Sequence, residues 1–243
     1  VRVVAEAIEG LPQLRPGDDL AALIVARRTT TAADVVVVAH KAISKTEGRV
    51  VALGDVVAGA RAIELAAGYD KDPRAVQVVL GESAEILRAA HGVLICRTHH
   101  GFVCANAGVD ASNAEREDEL ILLPVDPDAS ARALRAALPG RPAVVVTDSF
   151  GRAWRHGQVD VAIGVAGLAP LEDWRGRTDA AGREMRATWI AVADEAAAAA
   201  DLAREKDAGL PVVVVQGLDR HITADDGPGV QALLRPPSED LFL

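Results

Sequence analysis

The sequence predicts a protein that mixes helices and strands, of α/β or α+β class. Half of its 243 residues are apolar but only 3% are aromatic. A sizeable core must therefore be assembled from Val, Ala, Leu and Ile, side chains that pack on sheets and on small helix faces. Short unbroken apolar runs, DVVVVA at 34–39, AVVVT at 143–147 and PVVVV at 211–215, carry the pattern of strands covered on both faces. Between them, Asp and Asp-Pro pairs open segments of helical spacing. The alternation is too irregular for a Rossmann count, and neither GxGxxG nor GxxxxGK[ST] occurs, so the standard dinucleotide and P-loop readings lose their main support.

Taken in order, residues 1–8 alternate weakly before EGLPQLRPGDDL, whose prolines and glycines forbid regular structure. Asp18 or Asp19 then caps a helix running through Arg27. The strand at 34–39 ends in the polar segment HKAISKTEGR. The Ala-rich stretch 55–68 predicts a helix. Asp72 and Pro73 form an N-cap and N1 pair, and Val76, Val79, Leu80, Ser83, Ile86, Leu87 and Ala90 continue at helical spacing to Gly92. VLICR-THHG-FVCAN reads as a β-hairpin, ELILLP as a short strand, and DPDASARALRAAL as a second Asp-Pro-capped helix. VDVAIGVAGL predicts a strand, residues 188–206 a long Ala-rich helix, and PVVVVQG the last strand. The Pro-, Gly- and Asp-rich residues 218–243 read as an arm or tail of the domain formed by residues 1–217.

The net charge of −9 argues against a general nucleic-acid binder, which must cluster Lys and Arg to neutralise phosphates. An acidic protein that takes an anionic small molecule has to concentrate positive charge locally or recruit a metal cation. No apolar run approaches the ~18 residues of a membrane helix, and no charged and then apolar leader opens the chain. The expectation is a cytoplasmic protein without a membrane partner. Cys96 and Cys104 are expected as reduced thiols, although facing positions in a hairpin would allow a bridge.

Four segments share one grammar, an apolar strand or hairpin arm that ends in small and polar residues: VVVVAHKAISKTEGR, ANAGVDASN, VVVTDSFGRAWRHG and VVVVQG. Rigid strand ends aim side chains, and sites collect there. Asp110, Asp148 and a hydroxyl could supply the hard oxygen ligands that Mg²⁺ or Mn²⁺ prefers. Equally, Asp110, Ser112 and Asn113 could form an Asx-type turn and Asp148 a loop cap. Lys45, Arg49, Arg152 and Arg155 could grip phosphates or simply face solvent. His99 and His100 with Cys96 and Cys104 match no common zinc spacing.

Together GLPQLRPGDDL, VVVVAHKAISKTEGR, KDPRAVQVVLGES, GFVCANAGVDASN, LLPVDPDASA, VVVTDSFGRAWRHGQVDVAIGVAGL, ADEAAAAADL and PVVVVQG resemble, in order and spacing, the coenzyme F420-0:L-glutamate ligase family, also called F420 γ-glutamyl ligase. The resemblance runs from about Glu9 to Gly217. It implies an α+β fold of mixed and antiparallel sheets with flanking helices, in an intertwined homodimer whose site lies near the subunit boundary. It implies an enzyme that uses GTP to activate the terminal carboxylate of F420-0 or dehydro-F420-0, through an acyl phosphate that L-glutamate attacks, and then adds γ-linked glutamates. It also implies Mg²⁺ or Mn²⁺, two per site, with K⁺ as an accompanying cation.

Carried over position by position, the resemblance makes Asp110 and Asp148 metal ligands, with Ser149 contributing to a second metal where relatives more often have Thr. Leu11, Pro12, Gln13, Leu14, Lys45 and Asn113 match nucleotide-contacting positions. His40 stands where a small polar residue is usual, and Gln216 lies in a segment that closes over the nucleotide, where Arg is common. About 26 residues follow PVVVVQG, too few for the flavin domain of some actinobacterial relatives, so a stand-alone ligase or an excised N-terminal domain is expected. A metal-dependent nucleotide phosphohydrolase using the same aspartates is the alternative, and a non-catalytic binder of nucleotide or deazaflavin is a third reading.

Overall fold

The computed structural model describes residues 2–205 and 207–240. In chain order, the first half contains β1 (Val4–Ala7), α1 (Leu20–Val25), β2 (Val35–Ala39), α2 (His40–Thr46), β3 (Val50–Ala52), α3 (Ala60–Ala67) and α4 (Pro73–Gly81). There follow β4 (Ser83–Ala90), β5 (Val93–Thr98), β6 (Val103–Ala105), β7 (Glu119–Ile121) and α5 (Pro127–Ala137). The last part adds β8 (Ala143–Arg152), β9 (Arg155–Ala166), β10 (Glu172–Asp173), β11 (Trp189–Ile190), α6 (Val192–Ala203) and β12 (Val212–Gln216). The class is α+β: six α-helices among the described residues pack beside a mixed sheet and smaller antiparallel ones.

The main sheet has the order β1-β12-β2-β8-β9. Only β2 and β8 run parallel, in register from Val35 against Ala143 to Ala39 against Thr147. The valines of β2, β8 and β12 are fully buried, as continuous apolar strands covered on both faces must be. The parallel pair brings two strand ends, each followed by polar residues, to one edge of the sheet. A second, smaller core joins α3 and α4 to the three-stranded sheet β4-β5-β6 through Ala62, Val76, Leu94 and Cys96.

Caps were well signalled. Asp19 accepts from Ala22 N at 2.9 Å, Asp72 from Arg74 N at 2.8 Å and Asp126 from Ala129 N at 2.8 Å. Helix lengths were not. The helix from Pro73 stops at Gly81 rather than near Gly92, and Ser83 just beyond it turns its hydroxyl back onto Val79 O at 2.6 Å. The chain then pairs as β4 with β5. Likewise the last helix begins at Val192, not Thr188, since Trp189 and Ile190 pair with Asp173 and Glu172; Lys206, its expected end, lies outside the described residues. The Ala-rich segment forms a helix only over Ala60–Ala67. The polar segment after β2 turns directly into α2. Residues 218–240 fold back in short 3₁₀ turns, with Val230 buried and Arg135 paired to Asp226 at 2.6 Å.

Gly164 shows how closely α5 approaches β9. A Cβ there would run into the Pro127 carbonyl at the start of α5. Gly164→Ala is expected to destabilise the protein by about 1–3 kcal/mol through overpacking, read as a lower urea midpoint. An unchanged midpoint would mean that α5 can move off the sheet freely.

Candidate active site

The site grows from the C-terminal edge of β2 and β8. At the end of β2, α2 starts at His40, so His40 and Ser44 lie one turn apart and are buried, while Lys41 and Lys45 share the next stripe. His40 Nδ1 stands 3.3 Å from Ser44 Oγ, and its Nε2 stands 3.3 Å from Asp148 Oδ1 on β8. Lys41 Nζ donates to Asp110 Oδ2 at 2.6 Å and also reaches Ser112 Oγ. Two successive residues of one helix therefore face the two aspartates that the sequence singles out.

Asp110 closes an Asx-type turn, accepting from Ser112 N at 2.8 Å and from Ser112 Oγ at 2.8 Å. Asn113 follows in the left-handed region at φ 61°, which Asn tolerates. Partial burial works against the Asp110 charge. The Lys41 ammonium and the Ser112 donors overcome it and hold the carboxyl below its ordinary range. Lys45 is shifted down from the usual lysine value, first by burial and then by Lys41, while Glu115 and Glu119 oppose the shift.

The loop carrying Leu11, Pro12, Gln13 and Leu14 is tied to the end of α2 by Gly17 N donating to Thr46 O at 2.9 Å. Leu14 is buried and Leu11 rests on the core, which leaves Pro12 and Gln13 exposed. Arg15 pairs with Glu115 at 2.7 Å. That pair joins this loop to the one that follows Asn113.

Strand alternation separates Asp148 from its neighbours. The β8–β9 ladder slips by one residue, with Val146 opposite Gly164 but Thr147 opposite Ala162. Such bulges re-aim side chains beside sites. Asp194, at the start of α6, accepts from Ala162 N at 2.9 Å, and burial raises its carboxyl above the ordinary value. Beyond the slip, Thr147 Oγ1 donates to Asp160 Oδ2 at 2.9 Å and Ser149 Oγ to Asp160 Oδ1 at 2.6 Å. Arg204 Nη1 donates to Asp160 Oδ2 at 2.7 Å and Nη2 to Val37 O at 3.1 Å. Burial pushes the Arg204 guanidinium below its usual value, against the carboxylates of Asp160 and Asp201.

This buried Asp160–Arg204 pair, which fixes the Ser149 hydroxyl, went unnoticed in the sequence, as did Lys41. A lone carboxylate within the apolar run VDVAIGVAGL was the signal available for Asp160. Nothing marked Arg204 among the charges that close an Ala-rich helix.

Other sequence candidates lie elsewhere. Because β12 runs antiparallel to β2, Gln216 sits at the opposite edge of the sheet, where its Nε2 donates to Asp34 Oδ1 at 2.6 Å. Within this chain it is not brought to His40 and Asp148. Arg49 clamps structure, donating to Leu123 O at 2.9 Å and to Glu82 at 2.7 Å. Arg152 binds the carbonyls of His156 and Gly157 within its own exposed hairpin tip. Cys96 and Cys104 face each other across β5 and β6 as free, buried thiols. Burial, with smaller contributions from Asp148 and Cys96, pushes the Cys104 thiol up to about 12, so it stays protonated at neutral pH.

Among the described residues no three His, Cys, Asp or Glu side chains converge as a metal cluster. The donors come as His40 with Asp148, and Asp110 with Lys41. This set suits a cation whose remaining ligands are substrate oxygens or water, and one observation favours a cation at Asp148: His40 Nε2 is buried without a hydrogen-bond partner.

A family model described as F420-0:Gamma-glutamyl ligase matches residues 10–217 of the chain. The chain is 42% identical to the coenzyme F420:L-glutamate ligase of Methanothermobacter thermautotrophicus, over 97% of this chain and 96% of that protein. It is 45% identical to the protein of the same name from Halobacterium salinarum, over 95% and 96%. Against the one from Methanopyrus kandleri it is 41% identical, over 97% and 96%.

Proposed function

The chain belongs to the F420-0:Gamma-glutamyl ligase family, and from that premise we propose that it joins L-glutamate to a coenzyme F420 precursor through an amide bond. The observation that carries this reading is identity of 41–45% to three enzymes of that name over at least 95% of the chain. The proposal extends to GTP as the activating nucleotide, F420-0 or its dehydro form as acceptor, further γ-linked glutamates, and a homodimer.

A carboxylate is a poor electrophile, so it needs a leaving group before an amine can displace it. In the proposed sequence a carboxylate oxygen of the precursor attacks the γ-phosphorus of GTP and GDP departs. The glutamate amine then attacks the acyl carbon, inorganic phosphate leaves, and the amine loses a proton. Asp110, Asp148 and Ser149 would hold the divalent cations, with K⁺ an accompanying ion. Bound there, Mg²⁺ or Mn²⁺ would shield the nucleotide's charge and stabilise the charge that develops on the transferred phosphoryl group.

The chain's own residues set this up. Lys41 and Lys45 concentrate positive charge on one stripe of α2 in a protein of net charge −9, as an anionic substrate requires. Ser149 donates its proton to Asp160, which fixes the direction of the hydroxyl. Pro12 and Gln13 are exposed on a loop fastened to α2, which would leave them open to a nucleotide.

The test is incubation with GTP, Mn²⁺, L-glutamate and a precursor that one of the relatives converts. The expected product is heavier by one glutamyl unit, with GDP released in step. GTP hydrolysis without an amide would replace this reading with the phosphohydrolase. Neither product would leave only a binding role.

A further inference from the structure

We propose that His40 supplies a nitrogen ligand to the cation held by Asp148, so that the site selects a first-row transition ion such as Mn²⁺ over Mg²⁺. The inference rests on the metal-dependent reading above and concerns which atoms of this chain set the preference.

His40 is 1% exposed, and its ring is held from both sides. Ser44 lies one helical turn on, with its Oγ 3.3 Å from Nδ1. In the tautomer that directs the Nδ1 proton at Ser44, Nε2 is a bare lone pair. That atom faces Asp148 Oδ1 at 3.3 Å, yet among the described residues it makes no hydrogen bond. A buried nitrogen without a partner is costly. Two electron-rich atoms facing each other call for a positive centre between them.

A metal ion fits that role. Two ligands at right angles on a cation with bonds of about 2.1–2.4 Å lie about 3.0–3.4 Å apart, and 3.3 Å falls within that range.

Donor chemistry then sets the selectivity. Carboxylate, hydroxyl and phosphate oxygens serve Mg²⁺ and Mn²⁺ alike, whereas imidazole favours the transition ions and Mg²⁺ keeps its oxygen shell. The other candidate ligands, Asp110 and Ser149, offer only oxygen. His40 is thus the single side chain of the candidate set that can separate the two ions.

The experiment is pulsed EPR of the full chain with Mn²⁺ and GDP, comparing unlabelled protein with protein carrying ¹⁵N-histidine. The expected result is a directly coordinated ¹⁴N signal that converts to ¹⁵N on labelling, which separates imidazole from guanine nitrogen, and that disappears in His40→Gln. Equilibrium dialysis of His40→Gln should show Mn²⁺ affinity lowered about tenfold or more and Mg²⁺ affinity within threefold of the parent. Mn²⁺ bound to the parent without histidine coupling would overturn the inference, and so would equal weakening of both ions, which would make His40 only an orienting neighbour of Asp148. The labelling arm needs no substitution, so absence of histidine coupling there overturns the inference even if His40→Gln fails to fold. No Mn²⁺ binding by the parent with GDP present would instead remove the metal-dependent reading on which the inference stands.

Discussion

Asp160→Asn is expected to lower the stability of the protein by about 3–5 kcal/mol, because it removes the counter-charge hydrogen-bonded to the buried Arg204 guanidinium. The side chains of this pair are 4% and 8% exposed, and the guanidinium reaches Asp160, Thr147 and Val37 O on β9, β8 and β2. Against a total of about 5–15 kcal/mol for a folded domain, such a loss is severe. Arg204→Met should cost a similar amount by removing the cation hydrogen-bonded to a buried carboxylate.

The double variant Asp160→Leu/Arg204→Met is expected to recover much of the deficit, since removing both charges removes the desolvation penalty that each alone leaves behind. Urea denaturation of the four proteins measures this directly. If Asp160→Asn stays within about 1 kcal/mol of the parent, the pair is not the buried anchor that the geometry describes. The network has a functional side as well: it fixes the Ser149 hydroxyl at 2.6 Å from Asp160. The double variant, if it folds, should therefore bind metal–nucleotide less tightly than its stability alone implies.

Asp148→Asn should reduce amide formation by at least about 100-fold, the scale on which single well-placed charges act in such sites. Here the fold should survive. Asn has nearly the same shape, and Asp148, with its side chain 16% exposed, lies at the site edge beside His40, apart from the Asp160–Arg204 pair. Retained stability with lost turnover and weakened Mn²⁺ binding is the expected combination, measured by the urea midpoint, product mass and equilibrium dialysis on the same preparation. Full activity in Asp148→Asn would remove Asp148 from the site. Loss of both stability and activity would recast it as a structural residue.

Much of this was legible in the chain, for reasons that differ by level. The buried strands announced themselves because a fully covered strand needs every position apolar, and 35–39, 143–146 and 211–215 read that way. Caps were legible because Asp19, Asp72 and Asp126 act on backbone only two or three residues away. Element ends were harder to read. Ser83–Ala90 carries both helical and strand spacing, and only the presence of β5 beside it chose the strand. Asp110 and Asp148 stood out as polar residues at the ends of apolar runs, and the family resemblance then gave them a joint meaning.

The sequence by itself determined the class of the fold, its buried strands, its caps and its family, because each rests on local periodicity or on long ordered motifs. Tertiary structure alone decided which polar groups meet. The parallel pairing of β2 with β8 put His40 beside Asp148, and α2 aimed Lys41 at Asp110 across 69 positions of chain. The one-residue slip in β9 precedes the cluster in which Asp160 binds Ser149 and Arg204. The antiparallel course of β12 carried Gln216 to the far edge. Contacts between residues far apart in the chain depend on strand direction and register, and neither is written in the spacing of any one segment.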